Sequence, residues 1–350
     1  MSAETLLTVP TFKIEVDGVE LSYDTLAAVE SVRFEEEINM ASMFVLKLSI
    51  YDFKEGTLKF IDLEQFGLGR EVKLYMGMDD EVLMIVGEIT SVEPFFGENM
   101  SIIEVRGYDR LHRLRFGTKR RTFSDMKDSD IASMIAGDWG LSANVTNTGI
   151  TYPHIYQNNQ SDLGFLLERA RRIRYEVYVD DRTLYFRPGK EGDSASIALE
   201  YKADLIEFSA KLSARYRGTE ITVQGWDFMK KEPISATARK GDEVSKMAAE
   251  KTGTELTESA FGKSSSAVVN EYLLDATDAE KIAIATYNTH IVKSVTGSGR
   301  CTGIPEIRAG RTVELVGLGR FSGSYYITST FHTIDNTGYT TSFNVRRTGV

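Results

Sequence analysis

The residues able to do chemistry are few and scattered. Four histidines, His112, His154, His290 and His332, lie far apart, and none stands with cysteine or carboxylates at the spacing a metal ion needs. Cys301 is the single cysteine, which rules out an internal disulfide and agrees with a reducing cytoplasm; a small core residue is its expected role. The acidic pairs Asp79-Asp80 and Asp180-Asp181 lie between strand-like runs, where Asp is favoured because it bonds turn N–H groups, so they predict turns rather than acid–base pairs. No G-x-S-x-G elbow, Walker loop or H-E-x-x-H helix occurs. Gly317 to Gly323 has the glycine spacing of a nucleotide loop, but strand pattern flanks it on both sides and no helix follows, which predicts a hairpin turn. Neither a cofactor nor an enzymatic activity is expected.

Positive charge is what concentrates. Between Arg110 and Arg121 six of twelve residues are basic: Arg110, Arg113, Arg115, Lys119, Arg120 and Arg121. Arg171 and Arg172 belong to a second basic face, on the polar side of a predicted helix with Glu168, Arg169 and Arg174. On a chain of net charge −10 such stripes suit an acidic partner surface, a second copy of the chain included, or a solvated strand edge whose charges deter unwanted pairing. The overall charge disfavours nucleic-acid binding, general or sequence-specific.

The elements that must hold these residues are mostly strands. With 350 residues, 42% apolar and 26% charged, the chain is a folded one of two domains or more. Met1 to Pro10 lacks the basic start and apolar stretch of a signal peptide, and no apolar run approaches the roughly eighteen residues of a membrane span. Alternating runs from Thr11 to about Leu114 predict six or seven half-buried antiparallel strands, with a loop and short helix near Ile61 to Phe66. Helices are expected from Asp128 to Gly140 and from Ser161 to Ile173, followed by a hairpin turning at Asp180-Asp181-Arg182. Residues 199–227 read as strands again. The Lys/Glu/Ser/Thr-rich stretch 227–275 reads as a solvated excursion, and a helix at 278–292 is announced by Thr277 and Glu280 as a capping box.

One module is written twice. Gly310-Arg311-Thr312-Val313-Glu314-Leu315 repeats Gly69-Arg70-Glu71-Val72-Lys73-Leu74, and Tyr326-Ile327-Thr328-Ser329 stands where Glu88-Ile89-Thr90-Ser91 stood. The expected fold is therefore mainly β, an α+β chain of two antiparallel β-barrels with a small α/β module between them. The barrels are assigned to residues 1–120 and 199–350, and the module to 121–198.

Several stretches carry a resemblance. They are Asp128-Ser129-Asp130-Ile131-Ala132, the run Tyr156-Gln157-Asn158-Asn159-Gln160-Ser161-Asp162 before Phe165-Leu166-Leu167-Glu168-Arg169-Ala170, and Tyr178-Val179 with Leu184 to Arg187. Gly303-Ile304-Pro305 before Ala309-Gly310, Phe321 to Ile327, and His332 with Gly338-Tyr339 complete them. In these the chain resembles the late control protein D family, the baseplate hub of contractile phage tails, and the N-terminal hub part of the VgrG spike proteins. The resemblance implies two tail-tube-like barrels per chain, a homotrimer presenting six modules, and no catalysis. It also implies an adapter between a sixfold inner tube (or tube-initiator protein) and a threefold spike, with other baseplate components as neighbours, assembled in the bacterial cytoplasm. Because the chain stops at Val350 without the further barrel and needle of VgrG, the spike is expected to be a separate polypeptide. A tail-tip cell-wall hydrolase and a tube or tube-initiator protein are the alternatives.

Overall fold

Alternation of buried and exposed side chains shapes the N-terminal part as expected. In a computed structural model of the chain, which describes residues 9–52, 56–60, 64–98, 100–214, 219–227, 230–269 and 272–350, this part holds nine strands and a short helix. They are β1 (Pro10–Val16), β2 (Val19–Glu20), α1 (Tyr23–Ala27), β3 (Val29–Glu37), β4 (Met43–Ser49), β5 (Tyr51–Asp52), β6 (Thr57–Leu58), β7 (Glu71–Met78), β8 (Asp80–Phe96) and β9 (Ser101–Tyr108). The main ladder runs β3-β4-β9-β8-β7-β1-β2, all antiparallel, around a core that includes Ile14, Phe34, Phe44, Leu74 and Val105. The signal-peptide reading of the first eight residues lies outside the described residues, as does most of the helix expected near Ile61; its described end, Glu64 to Phe66, is a turn.

A 3-10 turn, Arg110–Arg115, leads into the small α/β module. There β10 (Lys119–Met126), α2 (Asp128–Asp138), β11 (Ser142–Val145), β12 (Tyr152–Gln160), α3 (Asp162–Ile173), β13 (Tyr175–Asp180) and β14 (Thr183–Pro188) enclose a separate core. Sequence dictates α3 locally. Ser161 caps it by accepting from the Gly164 N–H, Phe165, Leu166 and Ala170 turn inward, and Arg174 in a left-handed conformation ends it.

The strands expected at 199–227 divide. β15 (Ile197–Glu200) and β16 (Leu205–Leu212) join the second barrel module, whereas β17 (Glu220–Asp227) leaves it and pairs with β18 (Glu232–Arg239) and later with β19 (Ser265–Val268). Between them lies α4 (Gly253–Phe261), and α5 (Ala276–Ile291) covers the three-stranded sheet, burying Ile221, Val223, Ala238, Ile282 and Tyr287. Where composition suggested a solvated loop at 227–275 there is thus a fourth small core. The reason is that these strands bury one face only, so their outward residues dominate the composition. The cap of α5 also differs: Asp275, not Thr277, accepts from the Asp278 N–H.

β20 (Val295–Thr302), β21 (Thr312–Val316), β22 (Gly323–Asp335) and β23 (Gly338–Arg347) complete the second module, in the ladder β16-β20-β23-β22 with β21 beside β22 and β15 beside β21. Gly317 to Ser322 forms the turn between β21 and β22, as its flanking strands predicted. β22 pairs with β21 through Gly323–Tyr326 and then with β3 through Ser329–Ile334, so both modules share one 13-stranded sheet. The fold is mainly β with antiparallel sheets, as expected.

Candidate functional site

The duplication extends to individual backbone bonds. Gly69 and Gly310 both have positive φ, 82° and 76°, and each donates to an isoleucine carbonyl, Ile89 at 2.8 Å and Ile327 at 2.9 Å. Those isoleucines donate back to Arg70 and Arg311 at 3.0 and 2.9 Å. One residue later both strands bulge, after Ile89 against β9 and after Ile327 against β23, and the threonine hydroxyl of each bulge reaches the opposite strand: Thr90 to the Arg106 carbonyl, Thr328 to that of Asn344. A third matching pair of bulges follows Val29 in β3 and Leu205 in β16. Thus β3, β4, β7, β8 and β9 correspond to β16, β20, β21, β22 and β23.

Most of the basic residues singled out in the sequence bind within the chain, and Arg110 and Arg113 tie the start of the α/β module to the first β module. Arg110, buried, bonds Glu71 and the Asp181 carboxylate (2.7 Å) in the β13–β14 turn. Arg113 forms a two-point pair with Glu88 at 2.7 and 2.6 Å. Lys119 and Arg121 converge at 2.6 Å on Asp162, which also accepts from Trp139 and Gln157. Burial alone would raise the Asp162 carboxyl, but these donors outweigh it and hold it below the usual range. The Gln157 to Asp162 stretch is therefore a polar knot that seats the start of α3. Arg172 bonds the Tyr272 carbonyl and Asp278, tying α3 to the 220–291 unit. Arg115, Arg120 and Arg171 are exposed and have no ion pair among the described residues.

A second clamp occupies the position of the second module that corresponds to Glu88. Tyr326 donates to the buried Glu176 carboxylate of β13 at 2.7 and 2.9 Å, while Arg346 and Arg174 reach Glu191 at 2.7 and 2.5 Å. Burial raises the Glu176 carboxyl above its ordinary range. Tyr326→Phe removes this donor and is expected to lower stability by about 1 to 2 kcal/mol, read as a shift of the urea midpoint.

The seam between β22 and β3 holds the residues that sequence reasoning missed. Arg308 makes a two-point pair with Glu36 at 2.9 and 2.8 Å, bonds the Met84 carbonyl and lies over the Phe34 ring at 4.9 Å; the Ala309 N–H completes the cradle at 2.9 Å. Burial would raise the Glu36 carboxyl, yet Arg308 and the Ala309 N–H hold it below the usual carboxylate range. His332, fully buried, bonds the Ile307 carbonyl through Nε2 and meets the Tyr339 and Thr341 hydroxyls at Nδ1. Burial, reinforced by Arg308, pushes its imidazole down to about 4. One signal was available: in Val32-Arg33-Phe34-Glu35-Glu36 the alternation puts Glu36 on the Phe34 face, and an inward acid needs a cation.

These contacts fasten parts of the one chain to each other. No cluster of metal-ligating side chains occurs among the described residues, and no described helix is long and apolar enough to cross a membrane. The chain has the fold of the 43 kDa tail protein of prophage MuSo2 from Shewanella oneidensis, at a TM-score of 0.73 and 16% identity over 97% of this chain and 98% of that one. A tail protein from Neisseria meningitidis MC58 matches at 0.67 and 11% identity, with 97% of both chains covered. An E. coli component of the type VI secretion system, described as structurally similar to T4 bacteriophage tail proteins gp27 and gp5, matches at 0.57 and 11% identity over 96% of this chain and 76% of that one. No curated protein matches the sequence. Residues 7–336 match the family described as the Alg8 N-terminal domain, and with nearly its whole length inside that match the chain belongs to this family.

Proposed function

We propose that the chain is the structural hub of a baseplate, in a contractile phage tail or a phage-like injection system. It works as a homotrimer joining a sixfold inner tube, or a tube-initiator protein, to a threefold spike protein amid other baseplate components, and is assembled in the bacterial cytoplasm. The observation that carries this reading is the pair of modules in one sheet whose glycine turns and bulges match. Three such chains offer six like surfaces around a threefold axis, which matches a sixfold partner on one face and a threefold partner on the other. The fold shared with phage tail proteins supports it. A tube subunit needs one such module, and the second would be redundant there.

The role is assembly without catalysis. A cleft of 710 Å³ where the two β modules meet the α/β module has Glu36 and Glu176 among its lining acids, and Arg308 and Tyr326 hold these two as structural partners. Light scattering with negative-stain averaging tests the hub: a stable ring of three chains with six lobes is expected. A monomer that stays monomeric beside tube and spike proteins would overturn the reading.

Arg115, Arg120 and Arg171 remain the partner contacts of choice. Replacing all three by Glu is expected to leave the urea midpoint of the isolated chain almost unchanged, by at most about 0.5 kcal/mol per site. Binding to tube or spike protein should weaken at least about tenfold at low salt and lose its salt dependence. Unchanged binding would remove these residues from the interface.

A further inference from the structure

The seam inside the chain has an unfilled counterpart at its ends. β22 leaves β21 after Tyr326 and takes β3 as its new neighbour from Ser329 to Ile334. Its equivalent β8 leaves β7 after Glu88, yet from Ser91 to Phe96 its outer edge pairs with no strand among the described residues. The equivalent of β3 is β16, which ends the sheet and likewise has one edge without a partner strand among the described residues. We infer that β16 of one chain adds to the open edge of β8 in the next, in the register that β3 and β22 use within the chain. This rests on the trimeric hub reading and names the strands that close the ring.

The register can be transferred residue by residue. The matching bulges make Ser91–Phe96 equivalent to Ser329–Ile334, and Phe208–Ser213 equivalent to Val32–Glu37. The internal pairs Thr330↔Glu36, Phe331↔Glu35, His332↔Phe34 and Ile334↔Val32 then become Val92 with Leu212, Glu93 with Lys211, Pro94 with Ala210, and Phe96 with Phe208 across chains. The chemistry of these pairs fits. Val92, Pro94 and Phe96 alternate onto one face and meet Leu212, Ala210 and Phe208, so the apolar residues coincide; a slip by one would oppose Lys211 to an apolar neighbour. On the other face Glu93 meets Lys211, a cation without an ion pair among the described residues, whereas Glu93 accepts from the Ser91 hydroxyl at 2.8 Å and has Arg106 no nearer than 4.0 Å.

Exposure points the same way. Phe95, Phe96 and Leu68 are 56%, 57% and 68% exposed at the β8 edge, and Ile206 and Leu212 are 47% and 39% exposed on β16. By the Gly69–Gly310 equivalence Leu68 stands where Ala309 does, next to the position of Glu36, which Leu212 takes in the neighbour. An apolar contact thus replaces the Arg308–Glu36 pair. Pro94 has no N–H and removes at most one bond from the ladder.

Cross-linking tests the pairing. The Ile38 N–H donates to the Thr328 carbonyl, so Glu36 and Phe34 face β22 and the Phe331–Glu35 pair is not hydrogen-bonded. Cα atoms of such pairs lie about 4.5 Å apart, within disulfide range. The full chain carrying Glu93→Cys and Lys211→Cys, shown by light scattering to be trimeric under reducing conditions, is expected to give a covalent trimer on mild oxidation. Glu93→Cys with Ser209→Cys, about 7 Å apart in this register, should give about tenfold less. Cys301 will not interfere, because it is buried and its thiol is pushed up to about 12. Should the cysteine pair disturb folding, Glu93→Lys is expected to lower the trimer fraction and added Lys211→Glu to restore it. A wild-type trimer with no preference for the 93–211 link, or with no rescue, would overturn the pairing and leave the hub intact; a wild-type monomer would overturn both.

Discussion

Arg308→Ala is expected to destabilise the protein by about 3 to 5 kcal/mol at neutral pH, because it leaves Glu36 as a largely buried carboxylate without its cation. The loss should be local. Amides of Val32 to Glu37 and Ser329 to Ile334, which pair across the seam, are expected to exchange with deuterium faster, while those of β10 and β12 keep their protection. The pH dependence follows from the shift of Glu36. In the native protein its pKa is lowered, so its contribution is present above the ordinary carboxylate range and disappears as pH falls through the folded value. Without Arg308 only the Ala309 N–H is left to oppose burial, so the carboxyl rises relative to the native protein and the variant loses stability as pH rises. The gap between the two proteins is therefore widest near neutrality and narrows below about pH 4. A gap independent of pH would show that the packing of Arg308 on Phe34, not its charge, is what matters.

Acidification acts on the same seam through His332. Its imidazole titrates at 6.5 when free and at about 4 in the fold, so between these values the unfolded chain binds the proton more readily. Stability from this residue is complete above pH 6.5 and is lost as pH falls to 4, by about 3 kcal/mol. The cause is geometric: Nε2 is committed to the Ile307 carbonyl, Nδ1 sits against two hydroxyls, and Arg308 lies close enough to disfavour a second cation. In His332→Gln the fall in urea midpoint between pH 6.5 and 4 should be shallower than in the wild type. Equal slopes would assign the acid lability to carboxylates alone.

How far the sequence revealed this arrangement depended on the range of each interaction. The module repeat was legible because Gly69 and Gly310 answer a purely local demand for positive φ, and because the Ile-Thr-Ser runs place both bulges. α3 was legible for the same reason, since Ser161 caps it three residues away. The basic run was visible but its partners were not: Arg113 meets Glu88, Arg121 meets Asp162 and Arg110 meets Asp181, and no periodicity links such distant residues. Of the 220–291 unit β17 and α5 were legible, but β18, α4 and β19 were hidden because short elements with one polar face read as loop. Nothing local announced that β22 changes neighbours in mid-strand.

The seam also sets an order of events during synthesis. β3 is complete long before the residues that cover it, since Glu36 and Arg308 lie 272 positions apart. At about 5–20 residues per second the first module waits on the order of tens of seconds with the edge of β3 open. An edge left open so long invites pairing with other nascent chains. β3 ends in Glu35-Glu36-Glu37, and like charges on adjoining edges repel, so the acid that later anchors Arg308 first keeps the growing chain from premature association. Glu36 thus helps to protect the strand before the chain is finished and fastens it afterwards.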